Sequence, residues 1–123
     1  MSFTFKRIDH VQLAAPRQSE AEARQFFAGV LGFDEIEKPD ALKANGGVWF
    51  AFGDQQLHVG VEESFYPAEK AHPAFEITGL DAFKQHLDDN LVTYTEDQKL
   101  PGAKRIYVHD PFGNRLEVLE WLD

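Results

Sequence analysis

Four side chains in this 123-residue sequence are of metal-binding types and stand at matched intervals. His10 and His58 are 48 residues apart, and His72 and Glu117 are 45 apart. Three imidazoles and one carboxylate form an N/O donor set suited to a borderline divalent cation; Zn, Ni, Mn, Fe and Co all fit it. Glu117 also poses a question by itself. In "RLEVLEW" (115–121), Leu116 and Val118 share one face of a strand, while Glu117, Leu119 and Trp121 share the other. Both faces are partly apolar, as in a strand covered on two sides, where a carboxylate costs free energy unless something pairs with it. A bound cation would neutralise it. Glu120 falls on the opposite face and is expected to point to solvent. Two more histidines are set aside: His86, in the charged run "KQHLDDN", as exposed, and His109, before an Asp-Pro turn, as a local hydrogen-bonding residue. A single strand histidine is more often a surface or core residue than a ligand, so the case rests on the joint pattern.

The elements that must position these residues come in a repeating order. Phe5 to Ala14 reads as a strand carrying His10. The stretch "SEAEARQFFAGVLGF" then changes period, with Ala23, Phe26, Phe27, Val30 and Leu31 on one helical stripe. Ser19 and Glu22 fit a capping box at its start, and Gly32 fits its stop. A short strand follows at Phe33 to Glu37. Val48 to Phe52 and Gln56 to Val61 form a hairpin about Gly53-Asp54, with His58 in the second arm. Beyond a connector with Pro67, the order starts again. "HPAFEI" is a strand beginning at His72. "LDAFKQHLDDN" is a helix with Leu80, Phe83, Leu87 and Leu91 inward. "VTYTED", "KRIYVHD" and "RLEVLEW" are strands.

The chain thus reads as one domain over 1–123 made of two βαβββ modules, at about 6–62 and about 71–122, an α+β architecture. Either module has too few strands for a stable core of its own, so the two are expected to pack together. A pseudo-twofold relation between them would bring His10, His58, His72 and Glu117 toward one point.

Composition narrows the function. There are 21 acidic and 12 basic residues, for a formal net charge of −9, and no dense basic run. Such a surface repels a phosphate backbone, so no nucleic-acid partner is expected. No apolar stretch reaches the roughly 18 residues of a membrane span, and the N-terminus lacks the apolar core of a secretory signal. Cysteine is absent, which excludes thiolate ligands and cysteine nucleophiles and fits a cytoplasmic setting. No phosphate-binding loop or nucleophile elbow is present.

The stretches "IDHVQLAAP", "ARQFFAGVLGF", "LHVGVE", "AHPAFEI" and "DPFGNRLEVLE" together resemble the vicinal oxygen chelate superfamily. That group holds glyoxalase I, fosfomycin-resistance thiol transferases, extradiol dioxygenases, methylmalonyl-CoA epimerase and bleomycin-resistance proteins. The resemblance implies a curved, partly open mixed sheet around a central cavity. It places the family's first-strand histidine at His10, its second-module histidine at His72 and its terminal-strand glutamate at Glu117. The family's fourth position, Glu or Gln in glyoxalase-like members, falls on His58, which is either a ligand or a pocket residue. The implied activity is a divalent-metal-dependent lyase, isomerase or transferase acting on a small oxygen-chelating metabolite or antibiotic. Glu117 would be both ligand and proton carrier. The resemblance equally allows a non-catalytic, antibiotic-sequestering protein of the bleomycin-resistance type. It further implies a homodimer, with or without modules swapped between chains.

Overall fold

The structure, a computed structural model, describes residues 2–123. The chain divides into two compact units, one ending at Glu63 and the other spanning Ser64–Asp123. The first contains β1 (His10–Ala15), α1 (Glu20–Ala23) continued by a π-helical segment (Arg24–Val30), β2 (Asp34–Ile36), α2 (Asp40–Lys43), β3 (Val48–Phe52) and β4 (Gln55–Val61). The second contains β5 (Ala74–Glu76), α3 (Leu80–Asp89), β6 (Thr95–Asp97), β7 (Ala103–His109) and β8 (Arg115–Trp121). Each unit builds one four-stranded mixed sheet, in the orders β1-β4-β3-β2 and β5-β8-β7-β6. In each, the first strand runs parallel to the last and the remaining pairs are antiparallel. The fold is α+β, and the sheets are not closed into a barrel.

Alternation along the strands gives each sheet an apolar face for a helix and a mixed face for chemistry. In the first unit Val48, Phe50, Leu57 and Val59 are buried together with Phe26 and Phe27. The rings of Phe27 and Phe50 lie 5.5 Å apart. In the second unit Ile106, Val108, Leu116 and Val118 form the corresponding apolar set, with Leu80 and Leu87 of α3 also buried.

Several local expectations are corrected. β1 begins at His10, not Phe5; residues 5–9 lie outside it, and Phe5 and Ile8 are exposed. Five residues of mixed apolar and charged type without a neighbouring strand to bond cannot extend a sheet. The first helix is mostly π-helical, with Leu31 N–H donating to Phe26 O, five residues back, at 2.9 Å. The wider turn accompanies burial of the adjacent rings Phe26 and Phe27. The capping box is not formed. Ser19 sits at φ −104°, ψ 0°, not in the extended conformation of an N-cap, and its buried Oγ has no hydrogen-bond partner. Glu20 instead accepts from Gly47 N–H at 2.8 Å, a bond that lowers its pKa. Gly47 is itself constrained: at φ +88°, a Cβ there would stand 2.1 Å from the Val59 carbonyl oxygen.

Leu91 is exposed, not inward. It adopts φ +58°, with Leu91 N–H donating to Asp88 O and Val92 N–H to Leu87 O. This is a Schellman turn, and it swings residue 91 off the stripe that holds Leu80 and Leu87. Glu120 is not a plain solvent residue either. Its two carboxylate oxygens accept from Gly79 and Leu80 N–H, each at 3.0 Å, so β8 caps α3 and the pKa of Glu120 is lowered. The four-residue helix α2 had no periodic signal in the sequence. His86 is exposed, as expected, and His109, read as a local hydrogen-bonding residue, is exposed too.

Candidate functional site

The mixed faces of the two sheets carry His10, His58 and Glu117, while His72, expected to open a strand, lies two residues before β5, which starts at Ala74 after Pro73; register shows how the four correspond. β4 sets His58 opposite Gln12 on β1 and opposite Trp49 on β3. β8 sets Glu117 opposite Ala74 on β5 and opposite Tyr107 on β7. His58 and Glu117 therefore occupy the same position of the two sheets, as do Trp49 and Tyr107. His10 stands two residues before Gln12, and His72 two residues before Ala74, so they too correspond. The matched intervals in the sequence reflect a matched register.

In the first unit the arrangement is a stack of rings. His58, 3% exposed, lies face to face with Trp49 at 3.8 Å and 4° and with His10 at 4.2 Å and 19°. Burial and the neighbouring His10 lower the pKa of His58 to about 4. The ring is neutral at pH 7, and its Nε2 lies 2.9 Å from Gln56 Oε1, to which an N–H there donates. His10 is more exposed, and its Nδ1 lies 2.9 Å from Asp9 Oδ2, leaving Nε2 without a protein partner in the described structure. That contact lowers the pKa of Asp9. A carboxylate on one nitrogen orients the ring and raises the basicity of the other.

In the second unit the arrangement is ionic. Glu117 is buried and its Oε1 lies 2.9 Å from His72 Nε2. His72 Nδ1 lies 2.7 Å from the carbonyl oxygen of Lys70. Arg105 Nη1 stands 3.5 Å from both carboxylate oxygens of Glu117, and its Nε donates to Asp97 Oδ1 at 3.1 Å. The guanidinium of Arg115 covers the Tyr107 ring at 4.0 Å, and the His72 ring meets the same Tyr107 edge-on at 5.4 Å. Hence the buried carboxylate is paired already, with an imidazole and a guanidinium.

Each predicted pair is brought together, His10 with His58 and His72 with Glu117. Within neither unit do three or more His, Asp or Glu side chains gather at one point, among the described residues. The two pairs differ as donors to a cation. A 2.9 Å separation of Nε2 and Oε1 is the spacing of two adjacent ligands of one cation, about 3 Å for bonds of roughly 2.1 Å at right angles. The backbone carbonyl on His72 Nδ1 is the usual outer partner of a ligating histidine. The second unit's pair fits a divalent ion. The first unit's rings fit less well as a chelating pair, since in-plane lone pairs on nearly parallel rings about 4.2 Å apart lie in separate planes and do not converge readily on one ion.

Sequence reasoning left Trp49 and Arg105 without a firm role. The signal was present in the hairpins. Counting outward from Gly53-Asp54 pairs residue 49 with 58, and counting outward from Phe112 pairs 107 with 117. Arg105 lies one pleat further along the face of Tyr107.

The sequence profile of the Glyoxalase/Bleomycin resistance protein/Dioxygenase superfamily matches residues 7–118, and the chain belongs to that superfamily. A glyoxalase family protein from Bacillus anthracis is similar in structure, with a TM-score of 0.96, 47% identity and coverage of 98% of this chain and 99% of that one. A lactoylglutathione lyase from Agrobacterium tumefaciens shares the fold at a TM-score of 0.67 and 22% identity, covering 89% of this chain and 91% of its own. A mutant fosfomycin resistance protein from Listeria monocytogenes, solved with Mn(II) and 1S,2S-dihydroxypropylphosphonic acid, shares it at a TM-score of 0.78 and 17% identity, covering 96% of this chain and 94% of its own. No curated protein matches the sequence. No helix among the described residues is long and apolar enough to cross a membrane.

Proposed function

We propose that the protein is a divalent-metal-dependent enzyme, a lyase, isomerase or transferase, in which His10, His72 and Glu117 hold the ion. The observation that carries this reading is the His72–Glu117 pair: two ligand-type atoms 2.9 Å apart, one of them a buried carboxylate. The equivalence of His10 to His72 in register adds a third donor, with Nε2 free and Nδ1 held by Asp9. His58 is assigned the other role open to it, that of a neutral pocket residue which packs His10 in place. A bound cation would act as a Lewis acid on substrate oxygens, stabilising negative charge as it develops.

The chain's own groups supply the rest. The Lys70 carbonyl fixes the His72 ring through Nδ1. Glu117 Oε2 is the carboxylate oxygen not engaged by His72, approached by Arg105 Nη1 at 3.5 Å, and it is the atom from which a proton would be taken up or given back. Arg105 keeps negative charge on Glu117 tolerable in a buried place. The reading extends to a small-molecule substrate, a homodimer and a cytoplasmic setting.

The test is metal analysis of purified protein after loading with each of Mn, Ni, Zn, Fe and Co and dialysis. Wild type should retain a stoichiometric ion, and His72→Ala and Glu117→Gln should each lower affinity by at least about 100-fold, since outer partners alone are worth 10–100-fold. Wild type that retains none of these ions would remove the enzyme reading and leave the sequestering one.

A further inference from the structure

The first unit holds a cavity of about 450 Å³ lined by Gln12, Lys38, Leu42, Asn45, Gly46, Trp49, Val59, Gly60 and Val61. This is within the size of small-molecule sites, roughly 300–1,000 Å³. Its chemistry is uneven. Lys38 is the one charged residue of the lining, in a chain of net charge −9. Its Nζ donates to the carbonyl oxygen of Gly46 and forms no ion pair with a carboxylate among the described residues. By contrast, the neighbouring Lys43 is bonded to both Glu37 and Asp40.

A second polar group stands ready beside it. The Gln12 side chain makes no hydrogen bond within the described structure, and it lies flat across Gly60. A Cβ at position 60 would meet Gln12 Nε2 at 2.4 Å and Cδ at 2.9 Å, so the absence of a side chain there is what lets the amide lie over β4. Trp49 borders the same cavity with one face already covered by His58, which in turn stacks on His10. The cavity therefore adjoins, through two ring contacts, a residue assigned above to the metal.

We propose that this cavity binds the anionic end of a small organic oxyanion, a carboxylate or phosphonate, with Lys38 supplying the charge, the Gln12 amide a hydrogen bond, and Trp49 and Leu42 the apolar wall for its body. The assignment names the charged end of the substrate, and it rests on the enzyme reading only for calling that ligand a substrate. Lys38 and Gln12 are specificity residues under it, not proton carriers.

The experiment follows the Trp49 indole N–H by NMR, assigned with Trp121→Phe, in protein kept metal-free with EDTA. Benzoate and phenylphosphonate are titrated beside benzamide, a neutral molecule of the same size. At least one anion should shift the Trp49 signal saturably and bind about tenfold more tightly than benzamide, a difference of about 1.4 kcal/mol. Lys38→Gln should remove that preference and Lys38→Arg should keep it, while Gly60→Ala should weaken anion binding by displacing Gln12. Comparable binding of benzamide and both anions, or an unchanged preference in Lys38→Gln, would overturn the proposal. His72→Ala serves to separate the two readings: it should lose metal yet bind the anion as wild type does. Which of the two anions binds better identifies the oxyanion.

Discussion

The two sheets share strand order, pairing direction and register, yet their equivalent positions hold opposite kinds of chemistry. At the equivalent register position of the last strand the first unit has a neutral, desolvated imidazole between two aromatic rings. The second has a carboxylate between an imidazole and a guanidinium. Opposite these stand Trp49 and Tyr107, and of the two only Tyr107 is covered by arginines. A common backbone thus fixes where side chains can meet, while residue type decides what the meeting does. The ionic half is suited to hold a cation's charge, and the stacked half is suited to wall a pocket and keep one histidine in place.

The largest break in this contrast would come from placing the second unit's residue in the first. His58→Glu would put a carboxylate into the Trp49–His10 sandwich, where the charge of Lys38 is felt but, among the described residues, no guanidinium stands as Arg105 does beside Glu117. An uncompensated buried charge costs about 3 kcal/mol or more, so the variant's urea midpoint should fall steeply in EDTA. A divalent ion should restore part of the loss, because the new carboxylate would meet His10 much as Glu117 meets His72. No loss of stability in EDTA would mean that the stack is open to water and that the contrast is only one of residue names.

A smaller effect, on acid sensitivity, sharpens the same point. The His58 ring takes up a proton at about pH 4 in the folded chain and at about 6.5 in the unfolded one. Between those values the unfolded chain holds a proton the folded one lacks, so stability is complete above pH 6.5 and is lost as pH falls toward 4. At pH 5 the loss is about 2 kcal/mol. His58→Phe keeps a stacked ring without a titrating group. Its urea midpoint should therefore drop less between pH 7.5 and pH 5 than that of wild type; equal drops would place the acid sensitivity elsewhere.

Much of this was legible from residue order. The strands β3, β4, β7 and β8 follow alternation and turn residues to within a residue, since a hairpin's register is fixed locally by its turn. The burial of Glu117 was foreseen because Leu116 and Val118 beside it, and Leu119 and Trp121 on its own face, are apolar. What could not be read depended on distant partners. Glu117 looked in need of a cation, and the structure supplies Arg105 and His72 from 12 and 45 residues away. His58 read as either a ligand or a pocket residue, and what residue order could not show is that burial between rings on two other strands, with His10 adding to it, keeps it neutral. Phe5 to Ile8 read as the start of the strand that alternates at Val11 and Leu13, but pattern alone does not say whether a neighbour exists to pair with. Ser19 matched a cap by spacing, although its backbone angles prevent one.

Helix starts give the smallest and most local test of the difference between the units. Glu120 receives two backbone N–H groups at the start of α3, and its lowered pKa means that the charged form is the one the fold favours. That contribution is present above the unfolded value near 4.5 and is lost as pH falls through the lowered folded value. Glu120→Gln retains one accepting oxygen and no charge. It should speed hydrogen exchange at the Gly79 and Leu80 amides at neutral pH and lower the melting temperature by less than either His58 effect. Ser19→Ala, at the start of α1, should leave exchange in its helix unchanged, because the Ser19 hydroxyl makes no bond there. A marked loss in Ser19→Ala with none in Glu120→Gln would reverse the assignment of caps, and would mean that the local sequence signal outweighs the contact made across 40 residues.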